Sequence, residues 1–304
     1  MDPICHTLVG ATLSRAGLDR LTRRATATLI LAANAPDVDI LAAPLGMSLA
    51  WRRGATHGVP ALVAWPFLIA VVMVAWDRWR RRPGEAPVRW WPLVGMSALG
   101  VLTHPFLDYL NNYGMRWLMP VRDRWFYGDS LFIVDPWLYL ALGVGLWLTG
   151  SARRRGDAGA ARWARVGLWL ATVYIGLAIV GTLFGRQLVR GRYPGEPAPR
   201  FMVTARPVTP FVKQLIVDAG DHYETGLVRL LPPAVELRES VPRGDRFDEA
   251  MAALGRDAEG RAFRHWARFP AVVPLGGDRY RVYDLRYSDG AASGWAAVDV
   301  SLAP

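Results

Sequence analysis

His104 and Asp108 lie four residues apart in the stretch LGVLTHPFLDYLNN, residues 99–112. At that spacing the two side chains share one face of a helix. Both can then reach a single metal ion, one through an imidazole nitrogen and one through a carboxylate oxygen. Ionisable groups at the end of an apolar segment of membrane grade are costly, and where they occur they usually have a function. The same half of the chain supplies more such groups: His6, Asp37, Asp39 and His57 before the pair, Asp129 and Asp135 after it. Neutral imidazole and carboxylate suit zinc, manganese or iron, and carboxylate-rich sets often hold more than one ion. Such a site makes hydroxide available at neutral pH, because a bound metal lowers the pKa of its water.

The elements that must position these groups read as membrane helices. Residues 4–18 and 25–36 are short apolar segments joined by the basic run Arg15–Arg24. Each is too short to span a bilayer comfortably. Paired as a hairpin, they place His6 and Asp37/Asp39 at one end and the basic turn at the other. Residues 44–58 read as a loop carrying His57. Four stretches then read as spans: 59–76, 90–109, 132–149 and 166–184. Pro105 predicts a kink or break near His104. Residues 191–200 read as a linker. Residues 201–304 change character, with strand-like alternation and the turn signals AGD, GGD and SDG. The expected architecture is a helical membrane domain over 1–190 followed by a small, mainly β, extramembrane domain over 201–304, with one helix around 245–256.

Charge supports this division. Residues 197–304 carry 14 basic and 14 acidic side chains, so the whole net charge of +10 lies in residues 1–196. Topology-setting arginines and anionic lipid head groups account for that better than nucleic acid does. Loops 77–89 and 150–165 hold five Arg each, against three Arg in the longer stretch 110–131. The positive-inside rule then puts those two loops in the cytoplasm and the His/Asp groups, with the C-terminal domain, on the outer face. The six Arg of the first 58 residues fit only if the turn Arg15–Arg24 also dips inward. Cys5 is the sole cysteine, which excludes an intrachain disulfide and a cysteine-rich zinc site. No cleavable signal peptide is expected from the start MDPICHTLVGATL. The phosphate-cradling and serine-hydrolase motifs are absent, so nucleotide binding and serine hydrolysis lack support.

Several motifs in order carry a resemblance. They are His6 near the start, PDVD at 36–39, RRGATHG at 52–58, THPFLDYLNNYG at 103–114 and FYGDSLFIVDP at 126–136. On these the chain resembles the YdjM-like family of predicted membrane-bound metal-dependent hydrolases, in a longer version with a C-terminal extension. The order is also similar to the zinc-dependent phospholipase C and single-strand nuclease superfamily. That resemblance implies one metal on Asp39 (or Asp37), His57, His104 and Asp108, and a second on His6 bridged by Asp108. The superfamily has two further His and a carboxylate after its HxxxD motif, whereas residues 109–221 here contain no His. A further ion would need Asp129, Asp135 or Asn111.

The expected cofactor is therefore a divalent metal, zinc or manganese, in one to three copies. The resemblance, not the residues, makes the expected substrate a phosphoester, small or lipid-linked, hydrolysed at the bilayer surface with Asp37 or Asp39 as candidate general base; amide or ester hydrolysis stays open. The residues alone leave other roles open. Asp37 and Asp39 could cap a turn, Asp129 and Asp135 could cap helices, and Arg52 and Arg53 could clamp a phosphate or reach lipid head groups. The rival reading is a non-enzymatic transporter or a lipid- or partner-binding protein with a structural His/Asp cluster. A cluster near the bilayer midplane favours transport. A cluster at the interface favours hydrolysis.

Overall fold

The computed structural model describes residues 1–45, 48–195, 197–288 and 295–303. Its contacts divide the chain into two units. The first comprises Met1–Asp39 and Arg53–Val180; the second comprises Ile40–Arg52 and Gly181–Pro304.

The first unit is helical. Helix α1 (Pro3–Arg15) starts on Asp2, whose carboxylate accepts the backbone N–H groups of Ile4 (2.9 Å) and Cys5 (3.2 Å), with Pro3 in the first turn where its missing N–H costs nothing. Helix α2 (Ala25–Asn34) returns beside it. Ser14 Oγ meets Thr26 Oγ1 at 2.7 Å near the turn, and Asn34 Nδ2 donates to Thr7 Oγ1 at 3.1 Å near the open end. The hairpin thus brings His6 and Asp37 to the same end. The chain does not stop at Pro36. A 3-10 segment, Ala35–Leu45, continues from α2, with Pro36 in its first turn, where a missing N–H is tolerated. A short helix α3 (Ser48–Trp51) follows.

Helix α4 (Val59–Arg80) and helix α5 (Trp90–Tyr109) pack with α2 around Leu29, Ile69, Met73, Leu93 and Val101. The break expected at Pro105 is absent: α5 continues through it to Tyr109. Only one turn follows the proline, and that turn is held by burial of Leu107, Asp108 and Leu110. Gly100 lets α5 lie against α2, since a Cβ there would meet Ala32 Cβ at 2.7 Å. Helices α6 (Pro136–Arg154) and α7 (Ala161–Arg192) complete the unit, packing Leu138, Leu142, Ala171 and Ala178 with Leu107 and Leu110.

Among the described residues, three segments are long and apolar enough to cross a membrane: Ala25–Ala42, Val59–Arg80 and Ala161–Arg192. The first is longer than the expected 25–36 because the 3-10 segment extends it. Their outward faces are apolar, with Val63, Leu68, Val71, Leu177 and Val180 all exposed, as lipid-facing helices require.

The second unit is sheet-rich. Strands β1 (Phe201–Ala205), β2 (Val212–Asp218), β3 (His222–Leu230) and β4 (Pro233–Pro242) form an antiparallel meander in that order. After α8 (Phe247–Ala253) and α9 (Ala258–Trp266), strands β5 (Pro270–Gly276), β6 (Arg279–Asp284) and β7 (Ala297–Ser301) form a second antiparallel sheet. The two sheets share a core that includes Met202, Ile216, Tyr223, Phe269 and Tyr283. The turn signals AGD and GGD fall between β2 and β3 and between β5 and β6; SDG lies partly outside the described residues.

Candidate metal centre

Four side chains converge at the open end of the α1–α2 hairpin. Asp37 comes from the 3-10 segment, His57 from the loop before α4, and His104 and Asp108 from the last two turns of α5. One ligand atom from each lies within 4.8 Å of all the others. Three of the four side chains are fully buried, and Asp37 is the least so. The loop carrying His57 is pinned by Val59 N–H donating to Trp117 O at 3.2 Å and by Trp65 Nε1 donating to Thr56 O at 3.0 Å. Gly58 allows that closeness, since a Cβ there would collide with the Met119 carbonyl.

The partners of each imidazole fix where its proton sits. His104 Nδ1 lies 2.6 Å from the Ala33 carbonyl oxygen. A carbonyl only accepts, so Nδ1 carries the hydrogen, and in the neutral ring Nε2 keeps its lone pair. His57 Nδ1 lies 3.0 Å from Thr56 Oγ1 and 3.3 Å from Asp39 Oδ2; where it donates to that carboxylate, Nε2 of the neutral ring keeps its lone pair. Burial pushes the His57 pKa down, which favours that neutral form. Yet the two Nε2 atoms face each other at 3.1 Å. In the neutral rings two lone pairs at that distance repel unless a proton or a metal cation lies between them.

Asp37 Oδ1 lies 3.7 Å from His57 Nε2 and 3.6 Å from His104 Nε2; Asp108 Oδ2 lies 3.7 and 3.3 Å from the same two atoms. A tetrahedron with metal–ligand bonds of about 2.0–2.1 Å has edges of roughly 3.3 Å. The observed spacings bracket that edge. Asp108 Oδ2 is also buried without a hydrogen-bond partner among the described residues. The donor set therefore fits a divalent cation, and the Ala33 carbonyl, with Thr56 and Asp39 behind the other ring, stands where outer partners orient metal-ligating histidines.

Asp108 uses its other oxygen differently. Oδ1 accepts from Arg53 Nη2 at 3.0 Å, contacts the Met1 amino group, and lies 3.4 Å from His6 Nε2. His6 stacks on His104 with ring centroids 3.8 Å apart, and both its nitrogens are buried without hydrogen-bond partners among the described residues. Burial and the neighbouring His104 ring push its pKa down to about 3. Arg53 is itself buried, at a positive φ of 51°, and also donates to Asn111 Oδ1 (3.1 Å) and Gly114 O (2.9 Å) while lying over the Tyr113 ring.

The structure thus gathers Asp37, His57, His104 and Asp108 into one group, with His6 against Asp108. It turns Asp39 to the outside of His57, where its Oδ2 also accepts Arg53 N–H at 2.7 Å. Asp135 is engaged elsewhere: it caps α6 through Trp137 and Leu138 N–H and accepts from Tyr174 Oη at 2.8 Å. Asp129 is buried at a positive φ of 57° in a segment held to α5 by Gly128 and Ser130 N–H, and is not one of the four. In the second unit the His222 side chain bonds its neighbour Asp221 at 2.6 Å. The sequence offered Arg53 as a phosphate clamp or a contact for lipid head groups; the structure buries it against Asp108, a pairing the sequence did not single out. Its signal was there in RRGATHG, four residues before His57.

A family model described as YdjM inner membrane protein matches residues 1–187. The chain belongs to the YdjM family. The match takes in every residue of the cluster and ends within α7. The chain is also similar to an uncharacterized protein, YfhP, of Bacillus subtilis (strain 168), at 24% identity over 164 residues, or 50% of this chain and 48% of the relative. The alignment thus spans about half the length of that relative. No solved structure matches. Membership places the chain among inner membrane proteins, in keeping with its apolar helices.

Proposed function

We propose that this chain is a membrane-bound, metal-dependent hydrolase of phosphoesters, including lipid-linked ones, with one divalent ion held by Asp37, His57, His104 and Asp108. The observation that supports it most is the pair of Nε2 atoms facing each other between two carboxylates. On this reading α5 and α6 cross the bilayer as well as α4 and α7. The basic end lies in the cytoplasm and the cluster on the outer face. The cluster lies at helix ends, just before α4 and in the last turns of α5. That position favours an interfacial hydrolase over the midplane site of a transporter.

When bound, the metal supplies Lewis acidity to a water and to a phosphoryl oxygen. The protein does the rest. Ala33 O and Asp39 hold the two imidazoles in register. Arg53 balances Asp108 and sets a fixed positive charge beside the site, where negative charge on a phosphoryl group would gather. Asp37, the least buried of the four, is the proposed proton acceptor: His57, His104 and Asp108 would suffice to hold a catalytic ion, the position Asp37 gives up would be open to water, and Asp39 is committed to the Arg53 N–H and the His57 ring. Arg53 takes the Asp108 oxygen that a second ion would need, so the proposal is a single metal.

The test is turnover of chromogenic phosphomonoesters and phosphodiesters, and of phospholipids in mixed micelles, by purified full-length protein loaded with zinc or manganese. The expected result is metal-dependent turnover that falls at least about 100-fold in His104→Ala. A metal-loaded protein that turns over none of these substrates refutes the phosphoesterase reading.

A further inference from the structure

The opposite end of the first unit carries a second feature. The turn Arg15–Arg24 packs against both arginine-rich loops. Arg23 Nη2 reaches Asp77 Oδ1 at 3.1 Å, Arg89 N–H donates to Thr22 Oγ1 at 2.8 Å, Arg153 Nη1 pairs with Asp19 at 2.6 Å, and Arg165 Nε donates to Ala16 O at 2.8 Å. The arginines of this unit's three basic segments are therefore collected at one end. Within them is a cavity of about 570 Å³ lined by Arg23, Arg24, Trp76, Arg80, Arg82 and Glu85.

Its chemistry is specific. Four guanidiniums face one carboxylate in the lining. Asp77, buried behind it, takes Arg23 and, more distantly, Arg24 and Arg81. Arg24 lies over the Trp76 ring at 4.6 Å and Arg80 over Trp79 at 4.5 Å. The guanidiniums of Arg80 and Arg82 are exposed. One wall, Trp76, belongs to α4, whose exposed apolar face runs on through Val72, Val71 and Leu68. An anion that also carries acyl chains matches both halves of this surface. Helix α4 has 22 residues, about 33 Å at ~1.5 Å per residue, and the metal cluster adjoins its other end. That is close to the ~30 Å thickness of a bilayer core, so the cavity falls at the opposite head-group layer.

We infer that this cavity is a binding site for the phosphate head group of an anionic phospholipid, separate from the metal centre. Basic pockets between membrane helices bind such head groups, each arginine near the surface contributing roughly fivefold in affinity.

The experiment uses the full chain in detergent micelles doped with phosphatidylcholine or phosphatidylglycerol. Bound lipid is read by native mass spectrometry and by the shift in thermal midpoint. Glycerol phosphate and inorganic phosphate are added in parallel arms. The expected result is retention of phosphatidylglycerol over phosphatidylcholine, with no comparable shift from the soluble phosphates. Arg80→Gln with Arg82→Gln is expected to weaken retention about 25-fold, with metal content unchanged. Glu85→Gln, which removes the lining carboxylate, is expected to tighten it about fivefold. Arg154→Gln with Arg155→Gln, in the other basic loop, is the control and is expected to change little. Equal loss in the control pair would mean diffuse surface charge, and equal binding of free phosphate would mean a soluble anion. Either result, or no change in the Arg80/Arg82 and Glu85 variants, overturns the assignment.

Discussion

Replacing Asp108 by Asn separates a metal site from a buried hydrogen-bond network. The substitution keeps the size of the side chain and removes its charge. Oδ2 lies 3.3 Å from His104 Nε2 and 3.7 Å from His57 Nε2, and Oδ1 accepts Arg53 at 3.0 Å. A four-ligand zinc site binds with an apparent free energy of about 10–16 kcal/mol, or roughly 2.5–4 kcal/mol per ligand. Losing one charged ligand should therefore weaken metal affinity about 60- to 800-fold. The variant also strands the buried Arg53, a loss of about 3–5 kcal/mol in stability with or without metal. The two effects separate by assay. Metal affinity is measured by competition with a fluorescent chelator, and stability by the thermal midpoint with and without metal. At a free metal concentration of ~1,000 times Kd, binding stabilises the wild type by about 4 kcal/mol. The variant should lose that increment as well as its basal stability. Asp135→Asn is the control: an equally buried acid, but one that caps α6 and bonds Tyr174. It should lose about 1 kcal/mol of stability and keep its metal affinity. If Asp108→Asn binds metal as tightly as wild type, or the wild type gains no stability from metal, the converging lone pairs have been misread as a metal site.

Two further outcomes follow from the same geometry. Asp39→Ala removes the carboxylate behind His57 Nδ1 and should weaken metal binding about 10- to 100-fold while still saturating at one ion; Asp37→Ala should cost more, and chelator competition ranks the two. In the sheet-rich unit, Asp284 is fully buried and paired with Arg286 Nη2 at 2.9 Å. Burial alone would raise its pKa, but the Arg286 guanidinium and the Arg286 and Arg268 N–H groups hold it below the usual carboxylate range. Its stabilisation is thus complete above the unfolded carboxyl pKa of about 3.9 and is lost as pH falls through the lower folded value. Asp284→Asn should lose about 3–5 kcal/mol near neutral pH and flatten the acid limb, read by hydrogen exchange of residues 266–287 in the full chain.

Periodicity and spacing revealed the outline of this molecule but not its details. The four-apart spacing of His104 and Asp108 was enough to place both on the inner face of α5. The order of Asp37, Asp39, His57 and the later pair was enough to suggest their convergence. The choice between Asp37 and Asp39 was not legible, because it depends on where the 3-10 segment points each carboxylate, and that depends on Arg53 N–H taking Asp39. Asp135 looked like the other acids in sequence, yet a proline directly after it makes it a helix cap. Pro36 and Pro105 suggested chain breaks. Both fall near segment ends, where one missing hydrogen bond is outweighed by packing.

The position of the basic turn bears on orientation. Read alone, the six arginines before residue 59 argued against placing this region on the outer face. In the structure, four of them, Arg15 to Arg24, belong to the end of the hairpin that packs against loops 77–89 and 150–165, through Asp77, Thr22, Asp19 and Ala16. Arg53, the sixth, is buried and neutralised by Asp108. The apparent conflict therefore arises from counting charge along the chain rather than in space. With the arginines regrouped, α4 has the His/Asp cluster at one end and the concentrated positive charge of the first unit at the other. The positive-inside rule then applies to the whole unit rather than to two loops of it. A cysteine introduced in the turn at Arg20 and another at Val121 should label from opposite sides of sealed inner-membrane vesicles. Labelling of both from one side would remove the basis for placing the metal centre on the outer face.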